Sequence, residues 1–543
     1  MVMRAASRVF VATVITILIG AWHCMAETVM VPMRDGTKLA TDYFLPSGDG
    51  PFPVVVARSP YPRKAGQAFG ILFGTKGMAF VIQDTRGRGD SEGKDAVFGD
   101  DGWGERQDGV DTIQWVKQQK WCNGKVGTFG MSALAITSLL CASAGEPLTC
   151  QVAWVGASQF YGEIGYNGGV FLKSLAEMWT QGQGSGYIID TWKSHPTYDA
   201  FWQGYNMDAR ASKTSAPALH VGGWWDIFAT GTLNAFVNRQ HKGGKGSKGQ
   251  QYVIIGPWGH GIPEGGKYGE LPLKDNYKFD LNGETLKFLD YYLTDDASKP
   301  YDAPAVRYYT IGDAEDPSAP GNEWRTADDW PPFPTTDTLL YLRSDKSLQF
   351  EVPGTDDPAM SYTFDPTNPC PTKGGANLTI PAGSFDQREL ESRPDVLSFA
   401  STPLETPIEI TGDVRVRLYV STDAPDTDFT AKLLDIYPDG RAFNMLDGIR
   451  RLKFRKGYEK AEPLPAGEVG ELLLDLGPIS LVVNKGHRIG IQVSSSNYPR
   501  YELNPNTGAD FPTEGGEMRK AINSLHLGKE YPSALILPAR KTP

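Results

Sequence analysis

Apolar residues recur along this chain with two different periods, and the switch between them divides it. From Thr28 to Pro46, apolar and polar residues alternate about the Asp35-Gly36 turn, which predicts a hairpin of half-buried strands. Two unbroken apolar runs follow, FPVVVARSPY from Phe52 and MAFVIQDTRG from Met78, as expected of strands covered on both faces of a parallel sheet. The spacing of Val110, Ile113, Trp115 and Val116 predicts a helix over DGVDTIQWVKQQ. The strand KVGTFG, the apolar helix MSALAITSLLCASA and the strand CQVAWVGAS come next, and this alternation argues for an α/β sheet. Residues 161–212 break the pattern with an aromatic, glycine-rich stretch that predicts a small helical cap inserted into the sheet. The sheet resumes with PALHVGGWWD and QYVIIGPWGH and closes on the helix DLNGETLKFLDYYL.

Beyond Pro300 the helical period disappears. AVRYYTIG, TLLYLRS, PIEITGDVRVRLYVST, FTAKLLDIYP and HRIGIQVSSS are separated by turns rich in Pro, Asp and Gly, which predicts a jelly roll or β-sandwich. The expected organisation is a leader over 1–26, an α/β domain over 27–160 and 213–300 interrupted by the insertion at 161–212, and a β-rich domain over 335–540, with WPPFPTT at the boundary.

Length agrees with this division, because 543 residues exceed what one hydrophobic core organises. The net charge of −11 gives no electrostatic basis for binding nucleic acid or an anionic membrane. Arg4 and Arg8 precede the apolar run Val9–Ala21, which is too short to span a bilayer and reads as a secretory signal peptide cleaved after Ala26. Export to the periplasm or medium follows, with no membrane insertion once the leader is removed. Four cysteines then remain, Cys122, Cys141, Cys150 and Cys370, either as buried thiols or as two disulfides in any of three pairings. None has metal-ligand spacing.

The chemistry centres on Gly130-Met131-Ser132, between a strand and an apolar helix. A serine on such a turn is presented for nucleophilic attack, and the small residue two positions earlier permits the bend. Leu134 departs from the G-x-S-x-G pattern, so the tripeptide alone equally suits a helix cap. Asp226 and His260 each end an apolar strand, and Ser, Asp, His is the chain order of α/β-hydrolase triads. Of the other histidines of the mature chain, His220 lies within a strand as a core residue and His241 in a solvated Lys/Gly loop. His195 belongs to the cap, and His487 and His526 to the β-rich region.

The segments RSPY, VIQDTRGRGDSEG, GTFGMS, GGWWDIF, IIGPWGH, VSTDAPDTDFTAKLLDIYPDGRAFNMLDGIRR and SSSNYPRYELNPNTG resemble the CocE/NonD-type serine hydrolases, the family of cocaine esterase, glutaryl-cephalosporin acylase, α-amino-acid ester hydrolase and X-Pro dipeptidyl-peptidase. The resemblance implies three parts, an α/β-hydrolase domain, an inserted small helical cap and a C-terminal β jelly-roll domain, and places the triad on Ser132, Asp226 and His260. It further implies an oxyanion hole made by the Tyr61 hydroxyl and the Ala133 backbone N–H. Relatives carry Tyr and Gly where this chain has Ala133 and Ala135, so a widened, open acyl pocket is expected. Ile227, Phe228 and Ala229 follow the aspartate where amine-recognising members place acidic residues. Asp84 and Arg86 are expected to brace loops by ion pairing.

The expected activity is hydrolysis of an ester with a bulky apolar acyl group through an acyl-enzyme, with neither cofactor nor metal. Trp179, Trp192, Trp202, Trp224, Trp225 and Trp258 are candidates to line the pocket. The alternatives are an amidase or acylase of the β-lactam or X-Pro dipeptidyl-peptidase type and, more remotely, a non-catalytic carbohydrate-binding protein built on the jelly roll. The partner is a small-molecule ester or amide, and nothing in the sequence specifies an oligomeric state.

Overall fold

The computed structural model describes residues 26–294 and 301–540. The expected signal peptide lies, apart from Ala26, outside the described residues. Among those described, no helix is long and apolar enough to cross a membrane.

The first layer is a sheet of ten strands. They are β1 (Ala26–Pro32), β2 (Lys38–Phe44), β3 (Phe52–Ser59), β4 (Ala79–Asp84), β5 (Cys122–Met131), β6 (Cys150–Trp154), β7 (Ala218–Gly223), β8 (Gln251–Gly256), β9 (Val306–Thr310) and β10 (Glu323–Ala327). Their spatial order is β1-β2-β4-β3-β5-β6-β7-β8-β9-β10. The continuous apolar runs are the parallel centre from β4 to β9, and the alternating hairpin β1–β2 joins antiparallel at one edge. The sheet continues past residue 300, where its end was expected. AVRYYTIG, read above with the jelly-roll strands, instead supplies β9, which pairs parallel with β8, and β10 closes the edge antiparallel. A helix precedes β9, so the unit is a βαβ crossover, and its short apolar strand has the same local pattern as a sandwich strand.

Helices α1 (Gln67–Gly74), α2 (Asp108–Lys117), α3 (Ala133–Ser143), α4 (Lys173–Gly182), α5 (Ala229–Lys242) and α6 (Leu281–Leu293) accompany the sheet, α4 among them on the insertion between β6 and β7. That insertion also holds the short helix Ile188–Lys193 and the two-residue strands Tyr166–Asn167 and Val170–Phe171. The remaining chain forms a seven-stranded and a four-stranded antiparallel sheet packed face to face, the jelly-roll half of the molecule. One hydrophobic cluster runs from Trp225, Leu233 and Phe236 beside the first sheet through Leu340, Val416 and Leu433 of the jelly roll.

The four cysteines among the described residues, Cys122, Cys141, Cys150 and Cys370, are free thiols. Burial pushes the Cys141 thiol up to about 12 and that of Cys150 higher still, so both are inert packing groups.

Candidate active site

The turn from β5 into α3 places Ser132 at φ 57° and ψ −123°, a conformation that L-residues avoid. The geometry explains Gly130, because a Cβ there would lie 2.2 Å from the Leu134 carbonyl. It also explains why Leu134 is tolerated: the close approach of the elbow falls on Gly130 and on Gly156, where a Cβ would come within 2.9 Å of Ala135 Cβ. The Ser132 N–H donates to the Trp154 carbonyl at 2.9 Å, tying the turn to β6. As the first residue of α3, Ala133 has an N–H with no acceptor inside the helix, where the helix dipole favours negative charge.

Strands β7 and β8 are parallel neighbours in register, Gly223 beside Gly256, so the residues that leave their C-terminal ends converge. Asp226 and His260 meet there. The His260 Nε2 lies 2.7 Å from Ser132 Oγ, and His260 Nδ1 lies 2.7 Å from Asp226 Oδ1. Asp226 is buried, and its Oδ2 has no hydrogen-bond partner among the described residues. The loop carrying Asp226 is fixed from the jelly roll as well, since the Trp225 indole N–H donates to the Met445 carbonyl at 3.0 Å. His220 is a core residue 3.2 Å from Gln251, and burial lowers it to about 3.

A cavity of about 20 Å³ opens beside Ser132, lined by Phe98, Ala133, Ile136, Ile164, Leu175, Ala176, Trp179, Ile227, Phe228 and Leu378. Apart from Ser132 no lining side chain is polar except the Trp179 indole, and none is charged. The open pocket expected from Ala133 and Ala135 is therefore corrected. Cap helix α4 and Leu378 from the jelly roll close over the elbow and leave room for about one water or a methyl group. Ala133 and Ala135 are themselves fully covered.

Of the tryptophans proposed as pocket walls, only Trp179 is one. Trp192 and Trp202 form the core of the cap, where Trp202 donates to the His195 carbonyl at 2.8 Å. Trp224 donates to the Tyr309 carbonyl, Trp225 to Met445 and Trp258 to the Gly222 carbonyl, each of the three about 1% exposed. An indole has one donor, and once a buried carbonyl takes it the ring is committed to packing. The residues missed by sequence reasoning are aliphatic or phenylalanine side chains with no local signature. Phe98 is the clearest case: consecutive positive φ values at Val97 (44°) and Phe98 (70°) turn its ring onto Trp179, with centroids 5.8 Å apart.

Tyr61 lies at the end of the turn after β3, and its hydroxyl accepts from Trp179 Nε1 at 3.1 Å. Around this turn runs a buried ionic frame. Arg63 donates to Asp84 at 2.5 Å, and Arg86 to Asp108 at 2.7 Å and to Asp35 at 2.9 Å, while Arg58 pairs closely with Asp101. Asp84 and Arg86 thus brace the loops above the sheet. Arg88 and Asp90 of the same loop belong to this frame: Asp90 is bound to Arg63, and Arg88 donates to the Pro60 and Gln183 carbonyls.

Comparison with known proteins agrees with this architecture. Residues 35–186 and 173–262 match the model of the X-Pro dipeptidyl-peptidase (S15) family, and residues 300–536 match the X-Pro dipeptidyl-peptidase C-terminal non-catalytic domain. Cocaine esterase of Rhodococcus sp. (strain MB1 Bresler) is 33% identical over 96% of this chain and 99% of its own. Among solved structures, an aminopeptidase from a marine sediment Thaumarchaeota archaeon superposes with a TM-score of 0.83 at 26% identity, over 97% of this chain and 98% of that one. A CocE/NonD family hydrolase from Staphylococcus aureus has the same fold, with a TM-score of 0.71 at 22% identity over 95% and 93% of the two chains. The chain belongs to the CocE/NonD family of serine hydrolases.

Proposed function

We propose that this chain hydrolyses carboxylic esters with a small apolar acyl group by way of an acyl-enzyme on Ser132. The observation that carries the reading is the hydrogen-bonded series Ser132–His260–Asp226, with both contacts at 2.7 Å, opening on a cavity without a charged wall. His260 removes the Ser132 proton as Oγ attacks the carbonyl carbon, and then delivers it to the leaving alkoxide. Water, deprotonated by His260 in turn, releases the acid. Asp226 holds the imidazole tautomer with its proton on Nδ1 and stabilises the imidazolium. The oxyanion takes hydrogen bonds from the Tyr61 hydroxyl and the Ala133 N–H, each such donor being worth roughly 3 kcal/mol in a dry site.

The amine-recognising alternatives have less support. A substrate ammonium needs a desolvated carboxylate partner, and the lining supplies none. The narrow cavity replaces the bulky acyl group of the sequence reading with a short one, because a larger group has to displace Trp179 or Leu378. We also propose that the enzyme acts outside the cytoplasm, on the basis of the leader at residues 1–26.

The test is labelling of the mature protein with a fluorophosphonate probe, beside Ser132→Ala, with p-nitrophenyl acetate, p-nitrophenyl benzoate and a glutaryl anilide as substrates. Labelling confined to Ser132, with acetate turned over fastest, is the expected result. A Ser132→Ala variant with normal melting and retained turnover rejects the assignment, and preference for the anilide would mark an acylase.

A further inference from the structure

We infer that Trp179, on the cap, is a positioning residue for the oxyanion hole: its indole N–H holds the Tyr61 hydroxyl as an acceptor and so leaves the phenol's single proton for the substrate oxyanion. The inference rests on the reading of Tyr61 as an oxyanion donor. A phenol carries one donor and can also accept, whereas an indole N–H only donates, so the direction of the 3.1 Å contact is settled by chemistry. Without that partner the hydroxyl can swing to donate to another acceptor. With it, the oxygen is pinned and its O–H is polarised into a stronger donor, as in any chain of hydrogen bonds.

Trp179 is itself held in place. Its ring lies nearly parallel to Phe98, with 12° between planes, and both rings line the cavity beside Ser132. A second tie joins the same two elements: Arg88 Nε donates to the Pro60 carbonyl at 3.0 Å, and its Nη2 to the Gln183 carbonyl at 2.6 Å. One guanidinium thus links the turn that carries Tyr61 to the end of α4 that carries Trp179. The catalytic sheet presents the phenol, and the inserted cap sets where its proton points.

A double-mutant cycle on the mature full chain separates this role from that of a pocket wall, with kcat and KM measured on p-nitrophenyl acetate. Trp179→Phe keeps an aromatic wall and removes the N–H. It is expected to lower kcat about fivefold to tenfold, the net value of one hydrogen bond, with KM nearly unchanged. Tyr61→Phe is expected to lower kcat about 10²- to 10³-fold, and adding Trp179→Phe to it should cost nothing more. Loss of the same factor in both backgrounds, or a rise in KM with kcat intact, overturns the inference and makes Trp179 a wall. Full activity in Tyr61→Phe overturns it as well, while Ser132→Ala in the same series reports separately on the nucleophile. If Trp179→Phe melts too low for steady-state work, affinity for a boronic acid that forms a tetrahedral adduct on Ser132, measured in the cold, gives the same comparison. It should weaken on losing the indole in the wild-type background and not in Tyr61→Phe.

Discussion

Ser132 occupies a backbone conformation that costs energy, and the residues around it show how the cost is met. Gly130 leaves space for the Leu134 carbonyl, the Ser132 N–H is anchored on Trp154, and the side chain reaches His260. Gly130→Ala is therefore expected to lower the melting temperature and abolish probe labelling together, because the clash is with backbone and cannot be relieved by a rotamer. Asp226→Asn separates orientation from charge. It should lower kcat by about 10⁴ with unchanged melting, since the amide presents the wrong group to His260 Nδ1; a loss below about tenfold would mean that another group orients the ring. At this scale the three residues of the series were legible in the sequence, because each stands where an apolar strand stops. The pocket was not. Six tryptophans looked alike as candidates, and only the tertiary fold distinguishes the five that are fully buried, four of them with the indole N–H given to a carbonyl, from Trp179, which lines the cavity.

Between β6 and α5, besides Asp226, the structure holds a pair of neighbouring carboxyls, Glu163 buried and Asp208 half-buried. Glu163 accepts from the backbone N–H of Ser158 at 3.0 Å and of Gln159 at 3.2 Å, while Asp208 accepts from the Ser158 hydroxyl at 2.7 Å. Helix α5, which begins three residues after Asp226, rests on Glu163: a Cβ at Gly231 would lie 2.0 Å from its Oε2. Burial, and then the neighbouring Asp208, push the Glu163 carboxyl well above its usual 4.5, and burial pushes Asp208 up to about 6. The unfolded chain releases these protons at ordinary carboxylate pKa values and the folded chain only at higher pH, so deprotonation favours the unfolded state. Stability from this pair is expected to fall as pH rises from about 4 to about 7 and, through Glu163, beyond. Urea titrations across that range should show the slope in the wild type and a flatter profile in Glu163→Gln; parallel profiles would place the dependence elsewhere. In the sequence Glu163 is one acidic residue in an aromatic stretch, and nothing local marks it as buried.

Across the whole molecule, the α/β and jelly-roll halves share a core and a site. One cluster of buried residues joins Trp225, Leu233 and Phe236 to Leu340, Val416 and Leu433. Leu378 crosses from the jelly roll into the cavity, and Met445 holds the loop before Asp226. Calorimetry is expected to give one unfolding transition, and residues 27–330, which keep all ten strands of the first sheet, should aggregate when expressed alone; a soluble, probe-reactive fragment would show that the jelly roll is dispensable. By itself the sequence determined the α/β and β-rich architectures, the cap insertion and the chain positions of Ser132, Asp226 and His260. Those depend on periodicity and on residues at strand ends, which are local properties. The tertiary structure alone decided that β9 and β10 join the first sheet, that the pocket is narrow and apolar, that five tryptophans are structural, and that a cap indole holds Tyr61. Each of these depends on which distant backbone groups and side chains come into contact, and a pattern read along one chain carries no record of that.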